Sequence, residues 1–106
     1  MIIPLTESQF QRQVTDLAES YGWGWLHLER AQTPNGWRTV ASGTLSAGFP
    51  DLLLIKGRRV LFVELKGQRG VLSPPQHALL TGPLKETEHY VWRPDDWAQV
   101  MDVLHG

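Results

Sequence analysis

Two short apolar runs flanking one glycine turn constrain this chain more than any other feature. Leu52 to Ile55 and Val60 to Val63 are its longest uninterrupted apolar stretches, and Lys56-Gly57-Arg58-Arg59 lies between them. Runs this short, rich in branched residues and joined by a tight turn, predict two strands folded back on each other, Asp51 to Ile55 and Val60 to Lys66. Side chains alternate along a strand, so Val60, Phe62, Glu64 and Lys66 are expected on one face and Leu61, Val63 and Leu65 on the other. An acid and a base thus share one face of a strand otherwise built from Val, Leu and Phe. Burying a charge without a partner is costly, so this pair needs a reason.

The other elements arrange themselves around that hairpin. Thr6-Glu7-Ser8-Gln9 fits a capping box, and Phe10, Val14, Leu17, Ala18 and Tyr21 follow at helical spacing before Gly22. Glu7 continues the stripe and is expected to project toward the protein body, although a first-turn acid also suits the helix dipole. Trp23 to Leu28 reads as a first strand. Thr33-Pro34-Asn35-Gly36 is a turn that opens a polar connection through Gly43 and Gly48. Ser73-Pro74-Pro75-Gln76 starts a second helix by another capping box, Glu88 to Arg93 is the last strand, and Asp95 caps a terminal helix with Trp97, Val100, Met101 and Leu104 on one face. The predicted fold is α/β in the order α-β-β-β-α-β-α, a central mixed sheet flanked by helices, in a single domain over 1–106.

Composition narrows the function classes. The 106 residues are 42% apolar and 20% charged, as in an ordinary globular domain. No apolar run approaches the ~18 residues of a membrane span, and residues 1–30 lack the layout of a signal peptide, so a cytoplasmic protein with no membrane partner is expected. The absence of cysteine excludes a disulfide scaffold, a thiolate zinc site and a cysteine nucleophile. A net charge of −1 hides an uneven distribution. Lys56, Arg58, Arg59, Lys66 and Arg69 face a single acid, Glu64, within one segment, whereas five acids between Glu86 and Asp102 face only Arg93. A local basic surface can meet phosphate without the whole chain being basic.

The chemistry gathers on the hairpin. Closing it around Gly57 brings Asp51 and Glu64 to adjacent strands, and Glu7 approaches from the first helix. Carboxylates beside a lysine form a hard-oxygen site suited to Mg²⁺ or Mn²⁺ rather than zinc. Such a cation polarises a phosphodiester, and a neighbouring lysine orients or deprotonates water. A plainer alternative pairs Glu64 with Lys66 and leaves Asp51 as a strand cap.

Pro50-Asp51 followed by Glu64-Leu65-Lys66 resembles the PD-(D/E)xK nuclease motif, and the element order is similar to that superfamily's restriction-endonuclease-like core. More narrowly, Gly48-Phe49-Pro50-Asp51-Leu52, Val63-Glu64-Leu65-Lys66 and Leu72-Ser73-Pro74-Pro75-Gln76 resemble the VRR-Nuc family, in its small stand-alone phage and bacterial form. The resemblance spans the chain from Glu7 through the last strand. It implies Asp51, Glu64 and the Leu65 carbonyl as metal ligands and Lys66 as the residue that activates water. Glu7 would support the metal, and Gln76 would sit near the water or the scissile phosphate, with its capping box as an alternative or additional role. Gly48 would allow close backbone approach beside the site.

A metal-dependent DNA endonuclease is therefore expected, acting as a homodimer on branched DNA such as Holliday junctions and using no nucleotide cofactor. The alternatives are a flap, nicking or restriction-type nuclease, or a module that binds DNA structure without cutting. Arg38, Lys56, Arg58, Arg59 and Arg69 are the candidate phosphate contacts. His27 reads as a satisfied strand histidine, with lining the site as the alternative. Trp37, beside Arg38, reads as ordinary packing, with stacking on an unpaired base or on a partner subunit as its alternative.

Overall fold

Thr6 and Ser73 open their helices by the same device. Helix α1 (Glu7–Ser20) starts where the Gln9 amide donates to Thr6 Oγ1 at 3.1 Å and the Thr6 amide donates to Gln9 Oε1 at 2.9 Å. Helix α2 (Pro74–Thr81) repeats this between Ser73 and Gln76, at 3.3 and 2.8 Å. Each box satisfies two amides that a helix start leaves without intrahelical partners. Both helices appear in a computed structural model that describes residues 5–34, 36–39 and 41–106, with 30–33 and 36–39 followed through their backbone alone.

The strands are β1 (Gly24–His27), β2 (Arg30–Thr33), β3 (Gly36–Thr39), β4 (Leu52–Lys56), β5 (Arg59–Leu65) and β6 (His89–Trp92), and Trp97–His105 forms helix α3. A four-stranded sheet has the order β1-β4-β5-β6. β5 runs antiparallel to β4, as the glycine turn predicts; β1 also runs antiparallel to β4, on its other side, and β6 runs parallel to β5. A parallel neighbour requires a crossover, which α2 provides between β5 and β6. The result is an α/β domain with a mixed sheet and three helices.

Alternation along β4 and β5 divides the core between the two faces of the sheet. Leu52, Leu54, Leu61, Val63 and Leu65 are buried with Phe10, Val14 and Ala18 of α1 and Val100 and Leu104 of α3. Phe62 points the other way and packs near Leu79, Leu80 and Leu84 in and after α2. Glu64 and Lys66 share the parity of Phe62, so they lie on the α2 side.

Four local expectations need correction. The connection after the first strand is more than a polar loop, because β2 and β3 pair into a two-stranded ribbon across the 33–36 turn. That turn makes a hairpin rather than merely opening a loop. Asp95 does not cap the last helix: Pro94–Asp96 winds a short 3₁₀ turn, Asp96 precedes α3, and its Oδ2 turns back to accept from the Arg93 amide at 2.8 Å. Met101 is exposed while Val103 packs against the core, since Met101 lies at the margin of the stripe centred on Val100 and Leu104. Glu7 is exposed too. The buried stripe of α1 begins at Phe10, one turn later, so Glu7 keeps its helical alignment but lies beyond the covered length.

Gly48 connects the loop before β4 to α2. Its φ is +80°, and a Cβ there would overlap the Pro75 carbonyl and lie 2.6 Å from the Gln76 nitrogen. These are backbone atoms that cannot swing away. Gly48→Ala therefore combines a disfavoured backbone conformation with a clash and is expected to cost about 1–3 kcal/mol. Urea unfolding measures this, and a loss within experimental error of zero would show that the loop does not rest on α2.

Candidate active site

The register of the hairpin fixes the centre of the site. Leu52 pairs with Val63, so Asp51, one residue before β4, comes level with Glu64. The Lys66 amide donates to the Trp92 carbonyl at 2.9 Å on the β6 side. The preceding amide, that of Leu65, points toward β4, where the strand has not yet begun. Asp51 supplies the missing acceptor: Leu65 N–H donates to its Oδ1 at 3.0 Å. The other carboxylate oxygen, Oδ2, faces His27 Nε2 at 3.4 Å. Just past the end of β5, Lys66 Nζ lies 3.5 Å from Glu64 Oε2, and the Glu64 side chain is only 3% exposed. This is also the ion pair that the plainer structural alternative requires, and both readings use it.

Burial pushes the Asp51 carboxyl above the ordinary aspartate range. The Leu65 amide and the nearby His27 oppose that shift without cancelling it.

The remaining sequence candidates fall into separate groups. Gln76 is almost fully buried, and its Oε1 accepts from the Ser73 amide, so the capping role is present; the Gly48 contact sets its backbone against the loop leading to Asp51. Gly48 thus makes the close backbone approach expected of it, and the surface it approaches is the start of α2. Arg69 is exposed in the turn after β5. Lys56 and Arg58 are exposed at the β4–β5 turn, at the opposite end of the hairpin from Asp51.

Arg59 stands at that far end with its guanidinium engaged, about 17 Å from Glu64 at the rise of a β-strand. It donates to both Glu88 carboxylate oxygens at 2.9 and 2.6 Å and to the Val103 carbonyl at 3.3 Å. Its guanidinium also lies over the Trp23 ring, 5.4 Å from the centroid. The side chains of Arg38 and Trp37 lie outside the described residues.

Glu7 does not join Asp51 and Glu64 in a cage. Among the described residues, no three His, Cys, Asp or Glu side chains lie close enough together to hold a metal ion by themselves. The donor set that is present suits a hard divalent cation of another kind. Mg²⁺ commonly takes one or two carboxylates and completes its shell with water and substrate oxygens. Asp51, Glu64 and the Leu65 carbonyl are oxygen donors of that sort.

His27, read from sequence as a satisfied strand histidine with lining the site as the alternative, is a neighbour of Asp51. Its relation to Asp51 depends on β1 lying beside β4, and no local pattern encodes that. Comparison of the chain with protein-family models, curated proteins and solved structures returns no match.

The raised Asp51 pKa has a signed consequence for stability. The folded state holds the Asp51 proton more tightly than the unfolded chain does, so the carboxylate's contribution becomes unfavourable as pH rises from near 3.8 through the higher folded value. Asp51→Asn removes the charge and can keep the acceptor for Leu65 N–H. In EDTA the variant is expected to melt above wild type at pH 7, with the difference shrinking as pH falls toward 4. Thermal melts across that range test this, and a wild type that is the more stable at pH 7 would contradict it.

Proposed function

We propose that this protein is a Mg²⁺- or Mn²⁺-dependent DNA endonuclease with a restriction-endonuclease-like core of the VRR-Nuc type. The observation that carries the reading is the level placement of Asp51 and Glu64 on adjoining antiparallel strands, with Lys66 beside Glu64. The strand order, with one parallel strand added after a crossover helix, is compatible with that core. Among the described residues, no helix is long and apolar enough to cross a membrane.

Asp51 and Glu64 would hold the cation together with the Leu65 carbonyl. A cation held there would supply the positive charge that polarises a phosphodiester and offsets charge developing on its phosphate oxygens. Every other step falls to the chain itself. Leu65 N–H and His27 fix the two Asp51 oxygens, which keeps that ligand from rotating away. Lys66, with its stem largely covered and its nitrogen next to Glu64, orients the attacking water by donating to it as an ammonium, and takes that water's proton only in the neutral amine form. Gln76, held by its own capping box, is a rigid neighbour rather than a mobile one.

The preferred substrate is what the resemblance implies: branched DNA such as a four-way junction, cut by a homodimer whose paired sites act on two strands. Lys56 and Arg58, at the far end of the hairpin, are suited to a DNA arm leading away from the cut. Arg59 is a weaker candidate, because Glu88 already occupies its guanidinium. Flap cleavage, nicking and sequence-dependent cutting are the competing enzyme readings, and a non-cutting structure-binding module is the other.

The test is incubation of labelled junction, flap and linear duplex with Mg²⁺, Mn²⁺ or EDTA. Wild type is expected to cut the junction in either metal and not in EDTA. Lys66→Ala and Glu64→Gln should each lower the rate by about 10²–10⁴, the scale of losing a proton-transfer group or a metal ligand. Intact DNA in every lane, with the junction still shifted on a native gel, would replace the enzyme with a binding module.

A further inference from the structure

After β5 the chain turns sharply before reaching Ser73. The Gly70 amide donates to the Gly67 carbonyl at 2.9 Å and closes that turn. Two side-chain ties from the segment following β6 hold it from outside. Arg93 donates to the Gly70 carbonyl through both Nε and Nη2, at 2.9 and 2.7 Å. Gln68 and Asp95 form a reciprocal pair: Gln68 Nε2 donates to Asp95 Oδ2 at 2.6 Å, and the Asp95 amide donates to Gln68 Oε1 at 3.0 Å. Arg93 is anchored in turn, because its own amide donates to Asp96 Oδ2 at 2.8 Å.

The turn is packed against Lys66. A Cβ on Gly70 would lie 3.1 Å from Lys66 Cβ and 3.2 Å from its Cδ, so the Gly70 backbone runs alongside the lysine stem, one side-chain atom short of crowding it, and bounds it on that side. Consecutive residues at the end of β6 thus fix the two halves of Lys66. The Trp92 carbonyl accepts from the Lys66 amide at 2.9 Å, and Arg93 holds the Gly70 backbone alongside its methylenes. A lysine has a long flexible stem, and holding it near one position before substrate arrives removes an ordering cost from the reacting complex.

We infer that Arg93 is a positioning residue: by clamping the Gly70 carbonyl it confines the Lys66 stem and sets the ammonium beside Glu64. The function of a confined Lys66 rests on the nuclease reading, whereas its confinement does not. The forked guanidinium matters here because two donors converge on one carbonyl. A lysine at 93 keeps the charge but presents a single nitrogen, so Arg93→Lys separates geometry from charge. Gly70→Ala crowds the same stem and leaves Arg93 in place, which keeps the inference testable if substitution of Arg93 unfolds the protein.

The direct readout is competitive acetylation of the full chain at a fixed pH, with peptide mass spectrometry reporting each lysine separately. Arg93→Lys and Gly70→Ala are expected to change the Lys66 rate by about threefold or more while leaving exposed Lys56 and Lys85 unchanged. General loosening of the fold would show as a lowered melting temperature in the same variants, which a local change at Lys66 does not require. In the junction assay, kcat should fall by about three- to tenfold with KM nearly constant, and the double variant should be no worse than the more impaired single one. A wild-type Lys66 rate in either variant, or losses that simply add, would overturn the inference. If Lys66 labelling changes as expected while wild type cuts no DNA, the clamp stands and the nuclease reading falls.

Discussion

The hydrogen bond from the Leu65 amide to Asp51 Oδ1 holds the working end of the sheet together. β5 continues past the point where β4 begins, so without Asp51 the Leu65 amide would face an empty position beside the sheet. A buried amide without an acceptor costs about 1–3 kcal/mol. The side chain that satisfies it is an acid, and this brings negative charge into the same half-buried corner as Glu64. His27 and Lys66 then stand where they offset that charge, one beside each carboxylate. The electrostatics of the corner thus follow in part from a backbone requirement.

The two ends of β5 answer opposite demands. At its start, Arg59 is held by Glu88, the Val103 carbonyl and the Trp23 ring, while Tyr90 donates a further hydrogen bond to Glu88 at 2.7 Å. Glu88 is correspondingly held below its ordinary range, chiefly by Arg59, so it stays ionised where the pair needs it. At its end, Asp51 is raised by burial and carries a charge that folding does not favour. One end of the strand ties α3 and β6 to the hairpin. The other keeps a buried carboxyl whose ionisation burial opposes.

Gly48 and Gly70 do comparable work on either side of this corner. Gly48 lets the backbone come closer to the Pro75–Gln76 peptide than a side chain would permit, and Gly70 leaves room beside the stem of Lys66 that a Cβ would crowd. The loop leading to Asp51 is thereby seated on α2, and the turn following Lys66 runs beside the lysine itself. The corner is framed by backbone contacts, which are less adaptable than side-chain packing.

Features encoded by neighbours in the chain were legible from the residues alone. Both capping boxes, the hairpin about Gly57, the alternation that puts Glu64 and Lys66 opposite Leu65, and the level pairing of Asp51 with Glu64 all depend on spacings of a few residues. Periodicity, turn chemistry and strand parity report such spacings directly. The β2–β3 ribbon was missed because its turn was recognised without the pairing on either side of it, and Asp95 lost the cap because Pro94 inserted a 3₁₀ turn before α3. The apposition of His27 to Asp51, the capture of Arg59 by Glu88, the exposure of Glu7 and the hold of Arg93 on Gly70 join or separate elements far apart in sequence. Each depends on strand order, on how far a helix extends past the sheet, or on where a crossover returns, and burial of the whole apolar set decides those at once. The chain by itself determined which residues could do chemistry; the tertiary structure decided which of them meet.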